Sequence, residues 1–379
     1  MKIYLDNAST TPLDKNVLET MMPYMVDYYG SPSSIHEHGR RCKVAIEKAR
    51  KCIASILGVS ASEIYFTSGG TEGNNIAICG VINSLGLTNV ITSPIEHYSV
   101  LNPIKNMFEK GMVRLHFVHI DNYGKLDFNH LEYILKNYSN ALVSLMHANN
   151  EIGNINDLVK IGDLCNEHSA VFHTDAVQSI GHCKMNLQTL PVHLLVASAH
   201  KFHGPKGIGF IYIKNDIKVT PIMHGGNQEK GVRSGTENVP AIVGLSQAMQ
   251  NAYLSLNEDI EYVKNLKSKM IDALRNSVFD VTFNGQSAYT SSLHTILSVS
   301  LPSLGGDEDM LVFNLDIRGI SVSSGSACSS GTNLYSHVLD ALKMNKDRNY
   351  IRFSFSKYNT ISEIDYVVEQ IVDLYKKYR

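Results

Sequence analysis

The sequence has no basic block, no CxxC pair, no internal repeat and no long apolar run, and each absence closes off a class of protein. Lysine and arginine number 34 against 36 aspartates and glutamates, a formal net charge of −2. They are not clustered, so no nucleic-acid partner is expected. No segment approaches membrane-spanning length, and the opening MKIYLDNASTTP has no apolar run long enough for a signal peptide. A cytoplasmic location with no membrane partner is the expectation. The six cysteines, Cys42, Cys52, Cys79, Cys165, Cys183 and Cys328, are irregularly spaced. That argues against a disulfide framework and against a structural zinc site, so no metal is expected. Five of them sit in apolar or helical contexts and read as small core fillers.

What is present is an ordinary globular composition, 44% hydrophobic and 18% charged, over 379 residues. That length is too great for one small core and suits a large domain with a smaller one. From about residue 40 to 245, helical patterns alternate with short apolar runs. Residues 43–57 place Ala45, Ala49, Cys52, Ile53 and Ile56 on one stripe, and Gly58 suits the stop. Strands are expected at 63–67, 90–92, 142–146, 170–173, 194–198 and 209–213. Short apolar strands followed by helices predict an α/β fold with a mostly parallel sheet wrapped by helices, which binds ligands at the strands' carboxyl ends.

The pattern changes after about residue 250. A long helix carries Ile260, Val263, Leu266, Met270 and Leu274 as its stripe. Strands are expected at 296–300, 320–323 and 350–355, and a last helix opens with a capping box at Thr360-Ile361-Ser362-Glu363. This mixture reads as a smaller α+β domain. The expected division is 16–248 for the large domain, with 1–15 and 249–379 forming the small one that carries the Cys328 loop.

Four segments could carry chemistry. In Ser198-Ala199-His200-Lys201 an apolar strand runs straight into a lysine. A desolvated lysine has a lowered pKa and makes a good Schiff-base amine, although the dipeptide alone says no more than a surface lysine at a turn. In Ala170-Val171-Phe172-His173-Thr174-Asp175-Ala176-Val177-Gln178 an apolar strand ends in a carboxylate. Such a group suits the ring nitrogen of a pyridine cofactor, with Gln178 donating to the ring oxygen, and it equally suits a helix N-cap. Thr67-Ser68-Gly69-Gly70-Thr71-Glu72 turns a strand into a helix whose first N–H groups suit a phosphate, or it is an ordinary glycine turn. Val322-Ser323-Ser324-Gly325-Ser326-Ala327-Cys328 puts a cysteine in a loop of small residues, expected to be exposed and mobile. Core cysteines do not occupy such loops, and reactive ones do. His97, Asn150 and Arg352 complete the set, Arg352 as a bidentate clamp for a substrate carboxylate.

As an ordered set these segments resemble the cysteine desulfurases, the NifS/IscS-like enzymes of the class V aminotransferase group that depend on pyridoxal 5'-phosphate (PLP). The resemblance also takes in Tyr4-Leu5-Asp6-Asn7, His147-Ala148-Asn149-Asn150-Glu151-Ile152-Gly153 and Arg233-Ser234-Gly235-Thr236-Glu237-Asn238. It departs at Ser31 and Ser9, and IscS-like members run further past the last helix than Arg379, so a scaffold dock through such a tail is not expected.

The resemblance implies a fold type I (aspartate aminotransferase-like) large domain and a Schiff base between PLP and Lys201. It implies Asp175 at the pyridine nitrogen, Gln178 at the ring hydroxyl and His97 stacked on the ring. Thr71, Ser198, His200 and the Gly70 N–H would hold the phosphate. Thr236 would reach the phosphate of a neighbouring subunit, which makes the protein a homodimer with shared active sites. Asn150 and Arg352 would bind the substrate, L-cysteine. Cys328 would take its sulfur as a persulfide, leaving L-alanine, and pass it to an acceptor such as an iron–sulfur scaffold or a tRNA-thiolation enzyme. A selenocysteine lyase or another class V aminotransferase-type enzyme uses the same scaffold, and a non-catalytic PLP-binding scaffold ranks below both.

Overall fold

The computed structural model describes residues 2–304, 310–324 and 336–377. In chain order its strands are β1 (Ile3–Tyr4), β2 (Ile64–Thr67), β3 (Asn89–Thr92), β4 (Arg114–Phe117), β5 (Ala141–Ser144) and β6 (Val171–Asp175). They continue with β7 (Leu194–Ser198), β8 (Gly209–Ile213), β9 (Thr282–Phe283), β10 (Ile296–Pro302), β11 (Ile320–Ser321) and β12 (Arg348–Ser354).

The main sheet has the order β2-β8-β7-β6-β5-β3-β4. Strands β4, β3, β5, β6 and β7 are mutually parallel, and β8 alone runs against its neighbours β7 and β2. Strand alternation sends Leu195, Ala197, Phe210 and Tyr212 into one apolar cluster and Leu194, Val196, Ile211 and Ile213 into another. Helices Glu37–Leu57 and Val239–Leu254 complete the first layer, and Tyr98–Glu109 the second. A central strand buried on both faces is apolar throughout, which is why β7 and β8 are legible as runs. Strand β4 was not expected: it lies at the sheet edge with Arg114 and Phe117 exposed, so it carries no apolar run.

Element ends differ from expectation by small amounts with local causes. The helix expected at 43–57 begins at Glu37, where His36 accepts from the Gly39 N–H, and it closes on Gly58 at φ +72°. The strand expected from 63 starts at Ile64, because Ser60 and Glu63 form a reciprocal capping box over a short 3-10 turn. The box at Thr360 is present: Glu363 Oε2 accepts from the Thr360 N–H at 2.8 Å, and Thr360 Oγ1 from the Glu363 N–H at 3.3 Å. Of the five cysteines read as core fillers, Cys42 and Cys165 are buried, whereas Cys52, Cys79 and Cys183 are only half-buried.

A second core gathers Ile3, Leu5, Val263, Leu266, Met270, Leu297, Phe353, Ile364 and Ile371 between the sheet β12-β10-β9 and helices Leu256–Ser277 and Ile361–Lys377. The N-terminal segment serves both cores. Strand β1 pairs with β11, and the Leu5 carbonyl accepts from the Ser354 N–H at 2.7 Å. A few residues later the Thr11 N–H donates to the His200 carbonyl at 2.9 Å, and the Asp14 N–H to that of His203 at 3.0 Å.

A buried ion pair pins the turn of residues 228–231 to the main sheet. Arg50 and Glu229 are joined at 2.7 and 2.8 Å, Arg50 also donates to the Ile64 carbonyl, and Glu229 accepts the Phe66 N–H at 2.8 Å. Both side chains are almost fully shielded, at 3% and 2% exposure. Removing one partner strands the other charge in a dry site. We expect Arg50→Ala to lower the unfolding free energy by about 3–5 kcal/mol, as seen by denaturant titration, and a change within ~0.5 kcal/mol would show the pair to be dispensable.

Candidate active site

Five turns of chain converge on the carboxyl edge of the main sheet. Strand β2 leads to Gly70 and Thr71, β3 to His97, β5 to Asn150, β6 to Asp175 and Gln178, and β7 to Lys201. Glycine is required where the first turn presses on β8: a Cβ on Gly209 would lie 2.4 Å from the Ala197 carbonyl oxygen and 3.0 Å from Gly69 Cα. The turns enclose a cavity of about 280 Å³. Ten of the expected residues line it: Gly70, Thr71, His97, Asn150, Asp175, Gln178, Ser198, His200, Lys201 and Arg352. Thr236 does not; it is exposed and lines a separate cavity with Ser68 and Arg233. Cys328 lies outside the described residues.

The Lys201 amine donates to the carbonyls of Ala8 and Ser9, at 2.6 and 2.9 Å. The side-chain amide of Gln178 donates to the same Ala8 oxygen at 2.9 Å. These two backbone oxygens thus gather side chains from β6 and β7 around the N-terminal segment. Asp175 is buried; its Oδ1 accepts the Val177 N–H at 2.9 Å, and its Oδ2 accepts from Asn74 at 2.8 Å. The local turn expected of an N-cap is therefore present, with the carboxylate also lining the cavity.

Arg352 is 3% exposed and heavily bonded at one end. Its Nη1 donates to the Asn150 carbonyl at 2.9 Å, and its Nη2 to Asp6 Oδ1 and Ser9 Oγ at 2.8 and 2.6 Å. Its Nε is buried with no hydrogen-bond partner among the described residues. A buried donor without a partner is costly.

Several residues had no role read from sequence. Asn74 and Ser99 line the cavity and join Asp175 to His97. Glu96 is fully buried; its carboxylate accepts from the Met146 N–H and the Ser93 hydroxyl. Burial pushes its pKa up to about 8, helped by Asp175 and opposed by those two donors. Burial likewise pushes Glu151 up to about 7, against a hydrogen bond from Ser336 and the charge of Arg352. The signal for Glu96 was a carboxylate directly after Pro94 and Ile95; Glu151 follows the amides of Asn149 and Asn150 and carried no such signal.

The Aminotransferase class-V profile matches residues 3–367, and the chain belongs to that family. The cysteine desulfurase IscS of Dictyoglomus turgidum is 40% identical over all of this chain and 95% of its own length. A solved NifS-like protein superimposes with a TM-score of 0.91 at 37% identity over the whole of both chains. A further structure, SspA in complex with cysteine, has a TM-score of 0.81 at 31% identity, covering 95% of this chain and all of its own. Within the class V family the chain thus falls among the cysteine desulfurases, which are PLP-dependent enzymes of fold type I.

The residues present fit PLP. One cavity offers an amine, a carboxylate, an imidazole and the hydroxyls of Thr71 and Ser198 beside Gly70, where a Cβ would sit 2.7 Å from Val177 Cγ2.

Burial also sets the acid limit of the fold. His147, His182 and His200 have pKa values pulled down to about 4, and His173 and His294 to about 3, in each case first by burial. The unfolded chain binds these protons near pH 6.5 and the native state does not. Their stabilisation is therefore complete above about pH 6.5 and is lost as the pH falls from there towards 4 and 3. We expect unfolding free energy to drop across that window by up to about 1.4 kcal/mol per pH unit for each histidine involved. A flat profile from pH 7 to 5 in chemical denaturation would contradict it.

Proposed function

We propose that this protein is a cysteine desulfurase that removes sulfur from L-cysteine, releases L-alanine and keeps the sulfur as a persulfide on Cys328. The observation that carries the reading is a single cavity lined by both Lys201, from the turn after β7, and Arg352, from β12 of the other sheet. An amino acid needs an amine-exchanging group at one end and a carboxylate clamp at the other.

PLP, when bound, supplies the electron sink that stabilises charge at the substrate Cα. Lys201 would carry it, with Asp175 at its ring nitrogen and Gln178 at its ring hydroxyl. His97 would stack on the ring, and Gly70, Thr71, Ser198 and His200 would hold its phosphate. Arg352 and Asn150 hold the substrate carboxylate; the bonds from Arg352 to Asp6, Ser9 and the Asn150 carbonyl fix the guanidinium for that task. The freed Lys201 amine takes the Cα proton and is the general base. The Cys328 thiolate attacks the substrate sulfur, so that an S–S bond forms as the Cβ–S bond breaks. The hydrogen lost by the Cys328 thiol is balanced by the one gained by the methyl group of alanine, with His97 exchanging protons.

The segment carrying Cys328 is attached to the site at both of its described ends. Ser323 donates to Asp6 Oδ1 at 2.7 Å, and the Arg352 N–H donates to the Ser323 carbonyl at 2.7 Å. At the other end, Ser336 donates to Glu151.

We further read the protein as a cytoplasmic homodimer, with Thr236 reaching the partner's phosphate site. Leu18, Met22 and Met25 form an exposed apolar stripe on helix Lys15–Val26, followed by exposed Tyr29 and Ile35, which supports self-association. No helix among the described residues is long and apolar enough to cross a membrane. The sulfur acceptor in this reading is an iron–sulfur scaffold or a tRNA-thiolation enzyme. In this reading the chain divides into a large domain at 16–248 and a small one formed by 1–15 and 249–379, with Met249 and Ala252 of helix Val239–Leu254 still packed in the first core.

The test is release of alanine and sulfide from L-cysteine with PLP and a thiol reductant. We expect Lys201→Ala to abolish both products. Cys328→Ala should keep the visible absorbance of bound PLP and lose sulfide release; normal turnover in either variant rejects the assignment. Silence of the wild type with cysteine and turnover with selenocysteine would make it a selenocysteine lyase. Arg352→Lys should raise the KM for cysteine about tenfold or more, equivalent to ~1.4 kcal/mol of lost binding, and an unchanged KM would remove Arg352 from the carboxylate site.

A further inference from the structure

The reading above uses His97 and Asp175, and neither side chain is held by its own element alone. Asn74 is fully buried on helix Gly70–Asn75. Its side-chain nitrogen donates to Asp175 Oδ2 and to Ser99 Oγ, both at 2.8 Å, while its Oδ1 is buried with no hydrogen-bond partner among the described residues. The orientation of the amide follows from the chemistry: turned over, its oxygen would face the Asp175 carboxylate, acceptor against acceptor. An amide that leaves its own oxygen unsatisfied in order to place both N–H groups is spending stability on those two contacts.

Ser99, 7% exposed, lies at the start of helix Tyr98–Glu109, which His97 caps. Its backbone N–H donates to His97 Nδ1 at 3.1 Å, and its Oγ is 2.7 Å from the same nitrogen. A backbone N–H only donates, so Nδ1 is an acceptor and carries no hydrogen. Ser99 Oγ, which receives a hydrogen from Asn74, has its own hydrogen left to give to Nδ1. The four side chains form one directed series that starts at Asn74 and ends at Asp175 on one side and, through Ser99, at His97 on the other.

We propose that Asn74 and Ser99 are positioning residues of this site: together they hold His97 in the tautomer with its hydrogen on Nε2 and couple that state to the Asp175 carboxylate. The proposal rests on the roles given above to His97 and Asp175. Both donors to Nδ1 are lost when the ring takes a second proton, so the series opposes protonation of His97. Among the described residues, the other charged or titratable groups acting on the ring are Asp175 from the end of β6, which favours the charged ring, and Lys201 from the turn after β7 and His337 from helix His337–Ala341, which oppose it. Burial is the largest influence and also favours the neutral form. At rest His97 is thereby neutral, with Nε2 as its donor.

The test is the titration of the His97 ring in the PLP-loaded enzyme by NMR with ring-[15N]histidine, its signals assigned by their loss in His97→Gln. We expect the wild type to show an unprotonated Nδ1 and a protonated Nε2 in the neutral ring. Ser99→Ala should raise the titration midpoint by about half to one pH unit, the size expected for one lost hydrogen bond to the neutral form, and Ser99→Thr should restore it. Asn74→Leu should move the midpoint in the same direction, and the double variant no further than the larger single change, because both act through one series. A hydrogen found on Nδ1, or a midpoint that Ser99→Ala leaves unchanged or lowers, overturns the proposal. Additive shifts in the double variant overturn the coupling through Asn74. Alanine and sulfide release measured on the same wild-type sample separates the two readings. An enzyme inactive on cysteine with the expected His97 titration would reject the desulfurase reading and support the series; an active enzyme with Nδ1 protonated would reject the series alone.

Discussion

The site depends on residues 6–14, a short stretch of backbone that crosses from the second core to the first. Its carbonyls at Ala8 and Ser9 take the Lys201 amine, and Ala8 takes Gln178 as well. Its Asp6 carboxylate takes Arg352 and Ser323. Beyond the cavity, Thr11 and Asp14 accept or donate to the turn that follows Lys201. The amine and the guanidinium belong to different cores, and this segment sets the distance between them. A site made at such a seam is assembled by docking: backbone bonds at Leu5, Thr11 and Asp14 hold the segment, and the side chains of Lys201, Gln178 and Arg352 bond to it.

The polar groups around the cavity follow one physical logic. Histidines there are kept neutral by burial, and the acids behind the walls, Glu96 and Glu151, are pushed towards neutrality by the same cause. The charged groups in the wall are the ones with paired partners: Arg352 against Asp6, and Asp175 against the Asn74 amide and the Val177 N–H. A low-dielectric wall with few, well-supported charges strengthens each contact to a bound anion or cation. It also explains why Arg352 and Asp175 suit ligand recognition better than exposed groups of the same type would.

Much of this was legible in the sequence. The apolar runs of β7 and β8 stood out because strands buried on both faces have no polar alternation to hide them. Gly58 and the box at Thr360 marked helix ends through capping chemistry that is local by nature, whereas the box of Ser60 and Glu63 was not read and moved the strand start by one residue. Nine of the ten candidate residues in the cavity meet there because parallel strands deliver their carboxyl ends to one edge whatever the loops between them do, and Arg352 joins them from β12 of the other sheet. Strand β4 escaped because an edge strand buries too little to need apolar residues, and Thr236 stayed apart because it faces a different cavity.

Local chemistry is what the sequence determined by itself: which segments are buried, where helices start and stop, and which side chains end a strand as amine, carboxylate or imidazole. Those features depend on a residue and its near neighbours in the chain. Only the tertiary structure decided the supports: that Asn74 reaches Asp175, 101 positions away in the chain, that Arg352 meets Asp6 across 346, and that Glu96 stands behind His97 holding the Met146 N–H. Such contacts carry no periodicity and no spacing rule, because they join residues that become neighbours only when two cores close on one short segment of backbone.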